Sequence, residues 1–105
     1  MNEIQFDFEV PAAHPSLAGH FPGNPIVPGV LLLDHVMARL AAVTGRAMVR
    51  VQRVKFSSIL KPGEAVRTHC VVEDERASFR VAVSRDSTWV LVAEGVGVVA
   101  AGARG

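Results

Sequence analysis

Only one stretch of this chain carries helical periodicity, and it is apolar on nearly every side. From Gly29 to about Val43, residues Val30, Leu31, Leu32, Leu33, Val36, Met37, Leu40 and Val43 surround just three titratable positions, Asp34, His35 and Arg39. Pro28 suits the first turn of a helix and Gly45 its C-terminal stop. A helix that is apolar all round belongs in the interior rather than half in water. A chain of 105 residues holds one small domain with one core. The rest of the sequence must therefore supply the layer that covers this helix.

That layer reads as sheet. Ile4, Phe6, Phe8 and Val10 alternate with polar residues, the period-two pattern of a half-buried strand. Residues 48–58 resume the period after the helix. Their alternation slips near Gln52–Arg53, with Val49 and Val51 on one parity and Val54 and Phe56 on the other, which predicts a bulge. "LKPGE" at 60–64 is a turn, and residues 65–73, 78–84 and 88–99 read as three more strands joined by turns at 73–77 and 85–87. Short connections predict antiparallel pairing. One long helix wrapped by one curved, mostly antiparallel sheet is the α+β hotdog architecture, expected here as a single domain over residues 1–105 with a frayed tail from 100 to 105.

Composition narrows the class. Half the residues are apolar, high for so short a chain, so a partner subunit is expected to bury part of the surface. Eleven Lys and Arg against ten Asp and Glu leave a net charge of +1, which argues against a nucleic-acid-binding field. The single cysteine, Cys70, cannot form an internal disulfide and fits a reducing cytosol. The alternating, acid-bearing N-terminus is unlike a signal peptide, and Asp34, His35 and Arg39 break the longest apolar run, so no membrane span is expected. The reading is a soluble, cytoplasmic protein.

Between the first strand and the helix lies the least ordinary segment. Residues 11–28 hold five prolines, at 11, 15, 22, 25 and 28, which exclude helix interior and central strand. A loop this long in a compact domain is more often functional than not. His20 in it is placed to face a ligand, and with an unperturbed pKa of roughly 6.5 it is available as a base. Asp34, among greasy neighbours, must find a partner or hold its proton. Base and acid in a dry pocket are what an elimination needs. Gly29, at the helix N-terminus, offers an unpaired N–H to a carbonyl, and its missing side chain permits close approach. Five helical residues set Asp34 roughly 7.5 Å further along the axis. Taken singly, a loop histidine such as His20 is more often structural than catalytic, and Asp34 equally well bonds a loop N–H.

The stretch "GHFPGNPIVPGVLLLD" closely resembles the signature of the 3-hydroxyacyl-[acyl-carrier-protein] dehydratases, hotdog enzymes of bacterial fatty acid synthesis. Their pattern His-Phe-Pro-Gly-x-Pro-x-x-Pro-Gly, with an acid fourteen residues after the histidine, is matched by His20, Phe21, Pro22, Gly23, Pro25, Pro28, Gly29 and Asp34. A second family segment, aromatic–x₅–Pro-Gly-acid, is matched by Phe56, Pro62, Gly63 and Glu64. The resemblance implies that His20 acts on the substrate α-carbon and Asp34 at the β-hydroxyl, while the Gly29 N–H polarises the thioester carbonyl. It also implies that histidine and acid meet across a subunit interface in a homodimer or dimer-based oligomer. The acyl chain would run along the helix, against Phe21, Pro28, Val30, Leu33 and Met37. The substrate would be a thioester of acyl carrier protein or of coenzyme A, with no cofactor. The acid is Asp, as in the branch that also isomerises the double bond, whereas the dehydratase-only branch usually has Glu. The compact length resembles the stand-alone dehydratases of secondary lipid, polyketide-like and aryl polyene synthesis. Two alternatives stand beside this reading: a hotdog acyl thioesterase, and a non-catalytic acyl-binding partner subunit of a dehydratase.

Other candidates are weaker. His14, His35 and His69 show no metal-ligand spacing with one another or with Cys70. His35 points about 100° away from Asp34 around the helix and reads as a packing or surface residue. Gly95-x-Gly97-x-x-Ala100 mimics a dinucleotide fingerprint, but it falls in the last strand with no room for a following helix and strand. Arg39, Arg46, Arg50, Arg53, Lys55 and Lys61 form a basic cluster in sequence, either a solvated surface or a dock for an acidic carrier protein.

Overall fold

A computed structural model describes residues 2–10 and 26–101. The elements run β1 (Asn2–Glu9), α1 (Gly29–Thr44), β2 (Met48–Phe56), β3 (Ala65–Glu73), β4 (Arg76–Arg85) and β5 (Thr88–Val99). All five strands lie in one sheet of order β1-β3-β4-β5-β2, every neighbouring pair antiparallel. This is the hotdog architecture expected from the periodicity. Strand β4 starts two residues earlier than expected because the turn before it tightens to Asp74–Glu75, with Asp74 at φ 55°. The next hairpin turns on Asp86 and Ser87, both at positive φ. Such a turn matches the twist of the strands it joins.

The core sits between α1 and the sheet's inner face. Leu32, Val36 and Leu40 meet Val66, Cys70, Phe79, Val81 and Val99, all almost wholly buried. The helix stops at Gly45, whose positive φ of 71° lets its N–H return to the Ala41 carbonyl at 2.8 Å. Beyond it, the Arg46 Nε donates to the Ala100 carbonyl at 2.8 Å and its guanidinium also reaches the Asp74 carbonyl, pinning the helix exit to the sheet.

Composition predicts a helix buried all round, and the structure corrects this. Its inward stripe is Leu31, Leu32, Val36 and Leu40, while Val30 is 70 % exposed and Val43 56 %. Within this chain the sheet covers only one face of the helix, which leaves apolar side chains on the other.

Two glycines in β5 explain the false fingerprint. β2 slips register against β5 twice, between Met48 and Arg50 and between Val51 and Arg53. A Cβ on Gly95 would lie 2.5 Å from the Arg53 carbonyl oxygen and 2.7 Å from the Phe79 ring, and one on Gly97 would lie 2.7 Å from the Arg50 carbonyl oxygen. The glycines make room for the bulged neighbour strand rather than for a phosphate.

Candidate active site at the helix N-terminus

Pro28 enters the helix in extended conformation, at φ −60° and ψ 144°. Its carbonyl accepts the N–H groups of Leu31 and Leu32, at 3.0 and 3.1 Å. The N–H groups of Gly29 and Val30 find no acceptor among the described residues. They present partial positive charge at the start of a helix of 16 residues.

Beside these groups lies an apolar cleft of about 420 Å³, lined by Ile26, Val27, Gly29, Val30, Leu32, Phe56, Ser58, Ile59, Leu60 and Val92. Phe56 forms its wall at the helix end. A Cβ on Gly29 would fall 2.7 Å from the tip of that ring, so the absence of a side chain at Gly29 is used by Phe56. Larger grooves of about 780 and 830 Å³ lie on the outer sheet face and beside the 57–64 loop, but both are lined mainly by charged and polar residues. The helix-end cleft is lined almost wholly by apolar residues, and it adjoins the N–H groups that are unpaired among the described residues.

The cleft is held from outside. The Val27 N–H donates to the Leu60 carbonyl at 2.8 Å, tying the helix entrance to the 57–64 loop. Glu64 organises that loop. It accepts the Lys61 N–H at 2.8 Å, and it pairs with both ends of the Arg85 guanidinium at 2.7 and 2.8 Å. Arg85 also donates to the Ile59 carbonyl at 2.6 Å. The hydrogen bonds from Arg85, chiefly, hold the Glu64 carboxyl below the ordinary carboxylate range. The Pro-Gly-acid segment therefore has a structural task, to fix the loop that carries Ile59 and Leu60.

Asp34 stands one turn beyond Val30 on the same helix face, and it is exposed. This corrects the burial expected from its neighbours in sequence: Leu32 and Leu33 turn away toward the sheet, and Asp34 points off the opposite side. His20 and Phe21 lie outside the described residues. Of the expected substrate-binding residues, Val30 lines the cleft, whereas Leu33 and Met37 pack partly buried against the core and Pro28 shapes the entrance by its backbone. The reading by sequence missed Ile26, Val27, Leu60 and Val92, and it gave Phe56 no part in the cleft. Only the second motif, which ends β2 with Phe56, hinted that this strand approaches the helix.

His35 stacks on Phe8, ring centroids 5.4 Å apart and 5° from parallel, a packing role as its position on the helix suggests. Burial pushes the Cys70 thiol up to about 11, so it is no ready nucleophile. Among the described residues no group of three His, Cys, Asp or Glu could hold a metal ion.

Residues 1–95 match the family model described as ApeI-like, ApeI dehydratase. The chain is 32% identical over 75 residues to the 3-hydroxyacyl-[acyl-carrier-protein] dehydratase FabZ of Rickettsia rickettsii, covering 61% of this chain and 51% of that protein. It thus spans about half the length of the curated relatives it matches. Among solved structures, an uncharacterized protein from Erwinia carotovora superposes with a TM-score of 0.81 at 21% identity, over 94% of this chain and 83% of that one. The dehydratase heterocomplex ApeI:P from Xenorhabdus doucetiae gives 0.75 at 22%, over 92% and 86%. An acyl-CoA hydrolase mutant from Staphylococcus aureus in complex with coenzyme A gives 0.70 at 12%, over 94% and 64%. At these identities the structural likeness shows the fold.

Proposed function

Since the chain belongs to the ApeI-like dehydratase family, we propose that it dehydrates 3-hydroxyacyl thioesters of a carrier protein or coenzyme A to trans-2-enoyl thioesters. The observation that carries this reading is the Gly29 N–H, unpaired among the described residues, beside an apolar cleft, with Asp34 one turn up the Val30 face. The thioester carbonyl accepts from the Gly29 N–H, which stabilises negative charge on its oxygen as the α-carbon loses a proton. His20 takes that proton. The C–O bond at the β-carbon breaks, the C=C bond forms, and Asp34 protonates or holds the departing hydroxyl, which leaves as water. Because Asp34 faces away from its own sheet, its histidine partner comes from a second subunit, and the active unit is a dimer. The outer edge of β2, unpaired among the described residues, is where that subunit adds its strand. We place the reaction in the cytoplasm, on a path of lipid or polyene synthesis. Among the described residues no helix is long and apolar enough to cross a membrane.

The test is incubation with a 3-hydroxyacyl carrier-protein thioester, read by mass spectrometry. Loss of water is the expected result. Release of free acid would identify a thioesterase instead, and an unchanged substrate a non-catalytic acyl-binding subunit. His20→Ala and Asp34→Asn should each lower turnover by roughly 10²- to 10⁴-fold. If both variants dehydrate at the wild-type rate, the assignment is wrong.

A further inference from the structure

Strand β5 changes face partway along. Val81 of β4 pairs with Ala93, but Ala82 pairs with Leu91, so Val92 is an extra residue and β5 bulges there. Without the bulge, Trp89 and Leu91 would share the parity of Ala93 and Gly95 and point into the core. With it they stand on the outer sheet face, as does Arg80 opposite Glu94. Trp89, the chain's only tryptophan, is left 54 % exposed. The register sets a hollow beside it. Arg67, Ala82 and Leu91 lie side by side across β3, β4 and β5, and Gln5, His69 and Arg80 form the next row across β1, β3 and β4. Ala82, with only a methyl group among longer side chains, floors an open hollow of about 410 Å³ bounded by Trp89 and the rest of these two rows.

No acid is among the residues that line this hollow. The Arg67 guanidinium sits over the indole, 5.1 Å from the ring centroid, and donates to Asp7 at 3.0 and 3.2 Å. Arg80 makes no hydrogen bond among the described residues, and its ion pair with Glu94, at 3.7 Å, is long and exposed. A smaller groove that shares Arg67 and Trp89 has Asp7 and Glu64 in its lining, so the two hollows beside that pair differ in charge. Two guanidiniums, a half-exposed indole and an apolar floor recognise an anion attached to an apolar body. We propose that the hollow is a second binding site, on the sheet face opposite the helix, for a small organic carboxylate with a flat apolar body. The carboxylate accepts from Arg80, and the apolar body covers Ala82, Leu91 and the edge of the indole. A carboxylate suits the site better than a phosphate, whose second charge would face Asp7 beside Arg67. The site shares no residue with the helix-end cleft and does not depend on the reaction proposed there.

The probe is naphthoate, titrated into the isotope-labelled full chain and followed by the indole N–H resonance of its single tryptophan. The expected result is a saturable shift with a Kd of about 1 mM or tighter. Neutral naphthamide should bind at least about fivefold more weakly, and Arg80→Gln should weaken naphthoate by a similar factor. Ala82→Leu fills the hollow from the solvent side and should abolish the saturable shift. Should Arg80→Gln fail to fold, Arg80→Lys repeats the comparison, since it keeps the charge and loses the planar fork. A shift that stays linear in naphthoate, or equal affinity for naphthoate and naphthamide, would overturn the site. Adenosine monophosphate binding more tightly than naphthoate would overturn the choice of carboxylate. Asp34→Asn should bind naphthoate as wild type does, and Ala82→Leu should leave dehydration unchanged. Binding without dehydration would therefore leave this inference standing and remove the proposed activity.

Discussion

Gly29 does two things that a larger residue could not do together. It begins the helix with an N–H unpaired among the described residues, and it admits the Phe56 ring against its α-carbon. The contact is with the tip of a half-exposed ring, which can swing outward. Gly29→Ala is therefore expected to cost at most about 1 kcal/mol of stability while displacing Phe56 across the cleft. Its signature is a kcat/KM for thioester that falls more than thermal stability does. Gly29→Ala combined with Phe56→Leu should recover part of the lost activity. Equal activity of wild type and Gly29→Ala would show that the ring does not shape the productive site.

At the level of elements, β5 and β2 depend on one another. The bulges of β2 bring the carbonyls of Arg50 and Arg53 over Gly97 and Gly95. The obstacle here is backbone, unlike the movable ring at Gly29. Gly95→Ala should thus destabilise by about 2–3 kcal/mol, measured by urea unfolding, because β2 itself must shift. The helix shows the complementary situation. Its inward stripe is satisfied by the sheet, but Val30, Asp34 and Val43 on other faces are exposed.

For the molecule as a whole, two ion pairs bind distant parts of the sheet: Asp7 with Arg67 across β1 and β3, and Glu64 with Arg85 between the 57–64 loop and the end of β4. In both, hydrogen bonds from the arginine depress the carboxylate below its ordinary range. A carboxylate depressed in the folded state contributes stability at pH above its unfolded value, 4.5 for Glu64. That contribution disappears as pH falls through the lower folded value. Asp7 is more than half exposed, so solvent screens its share. Thermal stability should fall as pH drops below about 4.5, the ordinary Glu value, and Glu64→Gln should flatten that fall while lowering stability near neutrality by about 1–2 kcal/mol. An acid limb unchanged in Glu64→Gln would assign it to other carboxylates. Loss of the clamp should also loosen Ile59 and Leu60 and raise KM.

The sequence by itself determined the element order, the antiparallel sheet, the bulge in β2 and the position of the helix ends. Each follows from local periodicity or from the backbone limits of proline and glycine, which act within a few residues. It also determined which residues to suspect, because the motif keeps Gly29 and Asp34 at a fixed helical separation. Only the tertiary structure decided that Phe56 and Leu60 close the cleft beside Gly29, that Glu64 serves Arg85, and that Asp34 is exposed. These depend on contacts between residues far apart in the chain, which no local period records. Burial in particular is a property of the covered face: a run of leucines around Asp34 reads as a buried site, yet the sheet reaches only one side of that helix.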